Sequence, residues 1–103
     1  MTKRLYDLAY GRSGDKGNIA NISIIARSPE AYAEIKARLT AERVKAHFGD
    51  LVRGPVIRYD LDNIEALNFV LYEALDGGGT RSLRIDSLGK SLAGALLYME
   101  WES

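Results

Sequence analysis

Apolar and polar residues alternate over residues 4–10, with Tyr6, Leu8 and Tyr10 on one side and Asp7 on the other, which is the period of a strand. The same alternation returns over residues 19–27, where Ala20, Ile22, Ile24 and Ala26 share one face and Asn21 and Ser23 the other. Between these runs lies a polar stretch with three glycines, residues 11–18, which reads as a long loop. Ser28-Pro29-Glu30 then has the order of a helix start, with a capping hydroxyl, proline at the first helical position and an acid in the first turn. Tyr32, Ile35 and Leu39 fall on one face of that helix. Thr40 restarts a helix carrying Val44, Phe48 and Leu51, and Gly54-Pro55 ends it. Residues 56–61 form a third strand.

Asp62-Asn63-Ile64-Glu65 fits a capping box, so a helix is expected from Ile64 to about Leu75, stopped by Gly77-Gly78-Gly79. On it Ile64, Leu67, Asn68, Leu71 and Leu75 make the apolar face, with Phe69 and Val70 on the outer side. Residues 80–86 give a fourth strand, and residues 91–99 a last helix with Leu92, Leu96 and Met99 along one side. Four strands with three or four helices indicate an α+β domain. The expected form is a ferredoxin-like open sandwich, a mainly antiparallel four-stranded sheet with helices on one face.

Length and composition narrow this picture. The chain has 103 residues, the size of one small domain, and 47% apolar with 27% charged residues is ordinary for a folded one. Lys plus Arg and Asp plus Glu each number 14, so the net charge is zero. That balance argues against nucleic acid and anionic membranes as partners, since both need a basic excess. No apolar run reaches a membrane span and no secretory leader is evident, so a cytoplasmic location is expected. The absence of Cys excludes disulfides, thiolate catalysis and cysteine-metal sites. His47 is the single histidine; with no acid or nucleophile placed beside it, it reads as a packed or surface residue. Asp60 and Asp62 alternate at a strand end, but Asp62 is better used as a cap, and neither a metal nor a cofactor is expected.

The glycine-rich segments fail the spacing of nucleotide-binding motifs. Residues 11–16 place the second glycine too far from Lys16 for a P-loop, and Gly89-Lys90-Ser91 has Arg84 where the first glycine belongs. Gly14-Asp15-Lys16-Gly17 matches the GxxG of KH domains but lies between strands in a neutral protein. What the loop does offer is backbone N–H groups freed by glycine, the cations Arg12 and Lys16, and the Ser13 hydroxyl, a nest suited to a carboxylate or phosphate. Asn21 and Ser23, with Asp7, Arg58, Ser82 and Arg84, are expected on a polar sheet face turned away from the helices. Asn68 is expected as a buried amide that holds a loop in place. Phe69, Val70, Tyr98 and Trp101 are candidates for an apolar contact surface, which a domain this small has room to leave exposed.

Several runs together resemble a known family. They are residues 12–18 (Arg-Ser-Gly-Asp-Lys-Gly-Asn) leading to Ala20-Asn21-Ile22, Leu39-Thr40-Ala41-Glu42-Arg43-Val44, Gly54-Pro55-Val56, Ala66-Leu67-Asn68-Phe69-Val70-Leu71, and Gly77-Gly78-Gly79-Thr80-Arg81-Ser82. In this order the chain is similar to the small C-terminal, ferredoxin-like domain of the acyclic terpene utilisation protein AtuA family, here in its separate form. The resemblance implies a part of bacterial breakdown of branched acyclic acids and their CoA thioesters. It carries recurrent residues onto Arg12, Ser13, Gly14, Asp15, Lys16, Gly17, Asn18, Asn21, Asn68, Gly77, Gly78, Gly79, Thr80, Arg81 and Ser82. Tyr10 or Gly11 stands where the family usually has histidine, and Asn18 where aspartate is common, which removes the obvious acid–base groups from the loop. The function expected first is an accessory subunit that docks on a larger AtuA-like protein and lends it anion-contacting loops. A self-sufficient oligomeric hydratase or isomerase would have only Asp15, Lys16 and His47 as proton carriers. The third reading is a non-catalytic domain that associates with itself.

Overall fold

A computed structural model describes residues 3–16, 19–74 and 92–101, with backbone alone at 15 and 16. The strands are β1 (Lys3–Arg4), β2 (Ala9–Lys16), β3 (Ile19–Ala26), β4 (Val56–Leu61), β5 (Ala66–Tyr72) and β6 (Glu100–Trp101). The helices are α1 (Pro29–Arg38), α2 (Ala41–Phe48) and α3 (Leu92–Leu97). β2, β3, β5 and β4 form, in that order, a four-stranded antiparallel sheet, and β1 pairs with β6 beside it. This is the expected α+β class. One face of the sheet carries Ala20, Ile22, Ile24, Leu67, Phe69 and Leu71, all buried on the side of the described helices. The strand predicted over residues 80–86 lies outside the described residues.

Local chemistry explains the parts that match expectation. The Ser28 hydroxyl accepts the Ala31 N–H at 3.1 Å and Pro29 opens α1; the Thr40 hydroxyl does the same for Arg43 N–H and opens α2. Tyr32, Ile35, Leu39, Val44 and Phe48 then reach the core, and β4 keeps its predicted bounds. Leu92, Leu96 and Met99 also share a buried side.

Three expectations are corrected. The first strand is broken: Asp7 accepts the Arg4 N–H, a 3-10 turn forms over Leu5–Asp7, and the chain leaves β1 to enter β2. Asp7 therefore lies in a turn and not on the sheet face. The second correction is that residues 11–16 are not loop but strand, paired with β3 from Ala9↔Ala26 to Lys16↔Ile19. Gly11 in that strand serves packing. A Cβ on Gly11 would stand 3.0 Å from Leu97 Cδ1 and 3.3 Å from Ala93 Cβ, so α3 rests almost on the β2 backbone.

The third correction is the largest: residues 66–72 form a strand, not a helix. Leu67 and Leu71 satisfy both the helical and the alternating period, and Phe69 decides between them by being fully buried beside both. Glu65, at φ 54° and ψ 52°, adopts the left-handed conformation that turns β4 back into β5. Asp62 does not cap a helix; its carboxylate accepts the Tyr32 hydroxyl and the Lys36 ammonium and ties α1 to this turn. Burial, then the hydrogen bond to Asp62 and its charge, push the Tyr32 hydroxyl up to about 12, while that hydroxyl and Lys36 hold the Asp62 carboxyl below its usual range.

Candidate functional site

The sheet face away from the helices carries most of the polar candidates that the structure describes, and strand register sets it out as rows. One row runs Tyr10–Ile25–Ala66–Leu61, the next Arg12–Ser23–Asn68–Tyr59, and the third Gly14–Asn21–Val70–Ile57. A polar row from β2 to β5 thus lies between two that are largely apolar. An open groove of about 390 Å³ crosses them, lined by Arg12, Ser13, Gly14, Asn21, Ser23, Ile25, Leu61, Ile64 and Ala66. Among the described residues no carboxylate lines it.

Within the groove the Ser23 hydroxyl oxygen accepts the Asn68 side-chain N–H at 2.8 Å, which leaves the Ser23 proton free to point elsewhere. Arg12 is exposed and, among the described residues, has no hydrogen bond, ion pair or ring contact. Other arginines are committed: Arg27 stacks over Tyr10 at 4.0 Å, and Arg38 and Arg43 stack over Trp101 at 5.2 and 4.6 Å.

The fold places the sequence candidates unequally. It brings Arg12, Ser13, Gly14 and Asn21 together in the groove, with Asn68 behind Ser23. Asn68 is half-buried on the open face, not part of a buried helix face. Asp15 and Lys16 pair with Ala20 and Ile19 at the far end of β2. Gly17, Asn18, Gly77, Gly78, Gly79, Thr80, Arg81, Ser82 and Arg84 lie outside the described residues. His47 belongs to the helix layer on the other side of the sheet; its ring contacts Ala95 O at 3.0 Å and the edge of Phe48. Among the described residues no group of three His, Cys, Asp or Glu could hold a metal, and no helix is long and apolar enough to cross a membrane.

Two expected contact residues are overturned. Phe69 is fully buried under the helices, and so is Trp101, whose indole N–H donates to Glu34. Arg58 likewise does not face away from the helices. It reaches the carbonyls of Lys36 and Leu39 at the end of α1, at 2.9 and 3.1 Å, and is paired with Asp60 at 2.9 Å. β4 is therefore inverted: its polar residues Arg58 and Asp60 work beneath the helices, while Ile57, Tyr59 and Leu61 stand on the open face, 40%, 50% and 36% exposed. Sequence reasoning missed this apolar half of the site. Its signal was the alternation of β4 itself, which shows two faces but not which one is inward.

The four-stranded antiparallel sheet and the helices packed against one of its faces among the described residues define a small ferredoxin-like α+β domain. Residues 3–102 match the AtuA ferredoxin-like domain, and the chain belongs to that family. Neither the curated proteins nor the solved structures contain a match.

Proposed function

We propose that this chain is an accessory domain that docks through its open sheet face onto a larger AtuA-like protein and lends it an anion contact at Arg12. The reaction served would be the breakdown of branched acyclic acids or their CoA thioesters, as the family resemblance implies. The observation that carries the docking is the inversion of β4. Exposing Ile57, Tyr59 and Leu61 while holding Arg58 among helix carbonyls forgoes apolar burial worth about 25 cal/mol per Å², a local conflict of the kind found at functional surfaces. Tyr10 and Ile19 extend the same face, so most of the exposed large apolar side chains among the described residues are gathered on one side.

A separate small catalyst is less well supported, because the sheet stands between His47 and the groove. Docking is tested by measuring affinity for the larger AtuA-like protein by calorimetry with wild type and with Tyr59→Asp. A half-exposed tyrosine at the middle of an interface is the kind of residue whose loss costs about 2 kcal/mol or more, so binding is expected to weaken at least about thirtyfold. Equal affinity of the two proteins would remove the open face from the interface.

A further inference from the structure

The groove has a chemical polarity that narrows what it can hold. At one end are the Arg12 guanidinium, unpartnered among the described residues, the Ser23 hydroxyl and the Asn21 amide; at the other are Ile25, Ala66, Leu61 and Ile64. We infer that it is a binding site for a small monocarboxylic acid, with the carboxylate on Arg12 and the alkyl body along Ile25, Leu61 and Ile64.

Three features select this class. A guanidinium offers two parallel N–H groups to the two oxygens of a carboxylate, and nothing in the described protein competes for Arg12. One cation with neutral donors balances one negative charge; a phosphate dianion would leave charge uncompensated against an apolar wall. The size also fits. Asn21 and Ile25 are four strand residues apart, about 13 Å at roughly 3.3 Å per residue, which spans a carboxylate and a short chain. The polar wall is held in place: Asn68 donates to Ser23 and so directs the Ser23 proton away from itself, which makes Asn68 a positioning residue. Gly14 lies opposite Asn21 at that end and adds no side chain to it.

The inference deepens the anion-contact part of the proposed function and rests on it, but its test uses the chain alone. Docking can therefore fail while the site stands, and the reverse. Backbone amide shifts are followed by NMR while hexanoate, hexanamide, acetate or inorganic phosphate is added at constant ionic strength. Hexanoate is expected to give saturable shifts at Arg12, Asn21, Ser23 and Ile64. Acetate, lacking most of the alkyl body, is expected to bind about tenfold more weakly, and hexanamide and phosphate to leave these residues unshifted. Arg12→Gln should keep the dispersed spectrum of the folded protein and weaken hexanoate about tenfold or more. Equal shifts from hexanoate and hexanamide, tighter binding of phosphate, an unchanged affinity in Arg12→Gln, or no saturable shift in the groove would each overturn the assignment.

Discussion

Phe69→Ala is expected to lower the unfolding free energy by about 3–5 kcal/mol, the range for removing a fully buried aromatic side chain, and Val70→Ala by only about 1 kcal/mol. Phe69 is inaccessible to solvent, stands opposite Ile22 across the β3–β5 ladder, and lies beneath the helices. Its neighbour Val70 is half-buried on the open face. The contrast is a direct reading of strand geometry, in which adjacent residues point to opposite faces. A helix over residues 64–75 would put both side chains outward and make both losses small. Urea unfolding of the two variants at neutral pH decides the matter, and a cost for Val70→Ala equal to that for Phe69→Ala would contradict the strand.

The second large effect is expected at Gly54. Its N–H donates to Tyr72 O at 2.9 Å, and with Arg53 N–H on Glu73 O it continues the pairing beyond the end of β4. A Cβ at Gly54 would stand 2.7 Å from Tyr72 O and 2.9 Å from Tyr72 C, backbone atoms that cannot turn aside. Relief requires moving one strand off the other, so Gly54→Ala should cost about 3 kcal/mol by overpacking. Lys45 holds the same corner, donating to Val52 O and Gly54 O at 2.8 and 2.7 Å, which leaves the segment little freedom to retreat. Denaturant midpoints measure this, and a shift smaller than that of an ordinary surface substitution would show that the two strands are not in such close contact.

What was legible in the sequence follows from how local each cause is. Ser28 and Thr40 cap their helices with their own hydroxyls, so α1 and α2 could be placed from a few residues. β3 could be placed because its alternating Ala20, Ile22 and Ile24 have no helical interpretation. β5 could not, since Leu67 and Leu71 serve both periods and the deciding facts are the left-handed Glu65 and the Tyr32–Asp62 contact, which span distant parts of the chain. β2 was hidden by its glycines, of which Gly11 makes room for α3, far away along the chain.

The candidate site divides in the same way. Arg12, Gly14 and Asn21 stand out as polar or glycine positions near one another in sequence, and register brings them together as expected of one hairpin. The apolar wall of Ile25, Leu61, Ile64 and Ala66 depends on which face β4 turns inward. That choice is made by the carbonyls of Lys36 and Leu39, which capture Arg58. No pattern within residues 56–61 contains that information.

A domain that works through its open sheet face, and not through the helix layer or the β1–β6 end, should be covered there by its partner. Hydroxyl-radical footprinting of the chain with and without the larger AtuA-like protein tests it most directly, because exposed tyrosines report from both places. Tyr59 and Tyr10 are 50% and 55% exposed on the open face, and Tyr98, 66% exposed, meets Tyr6 edge-on near β1. The partner is expected to protect Tyr59 and Tyr10 and to leave Tyr98 as reactive as before; protection of Tyr98 and Tyr6 with Tyr59 unchanged would place the interface at the β1–β6 end instead.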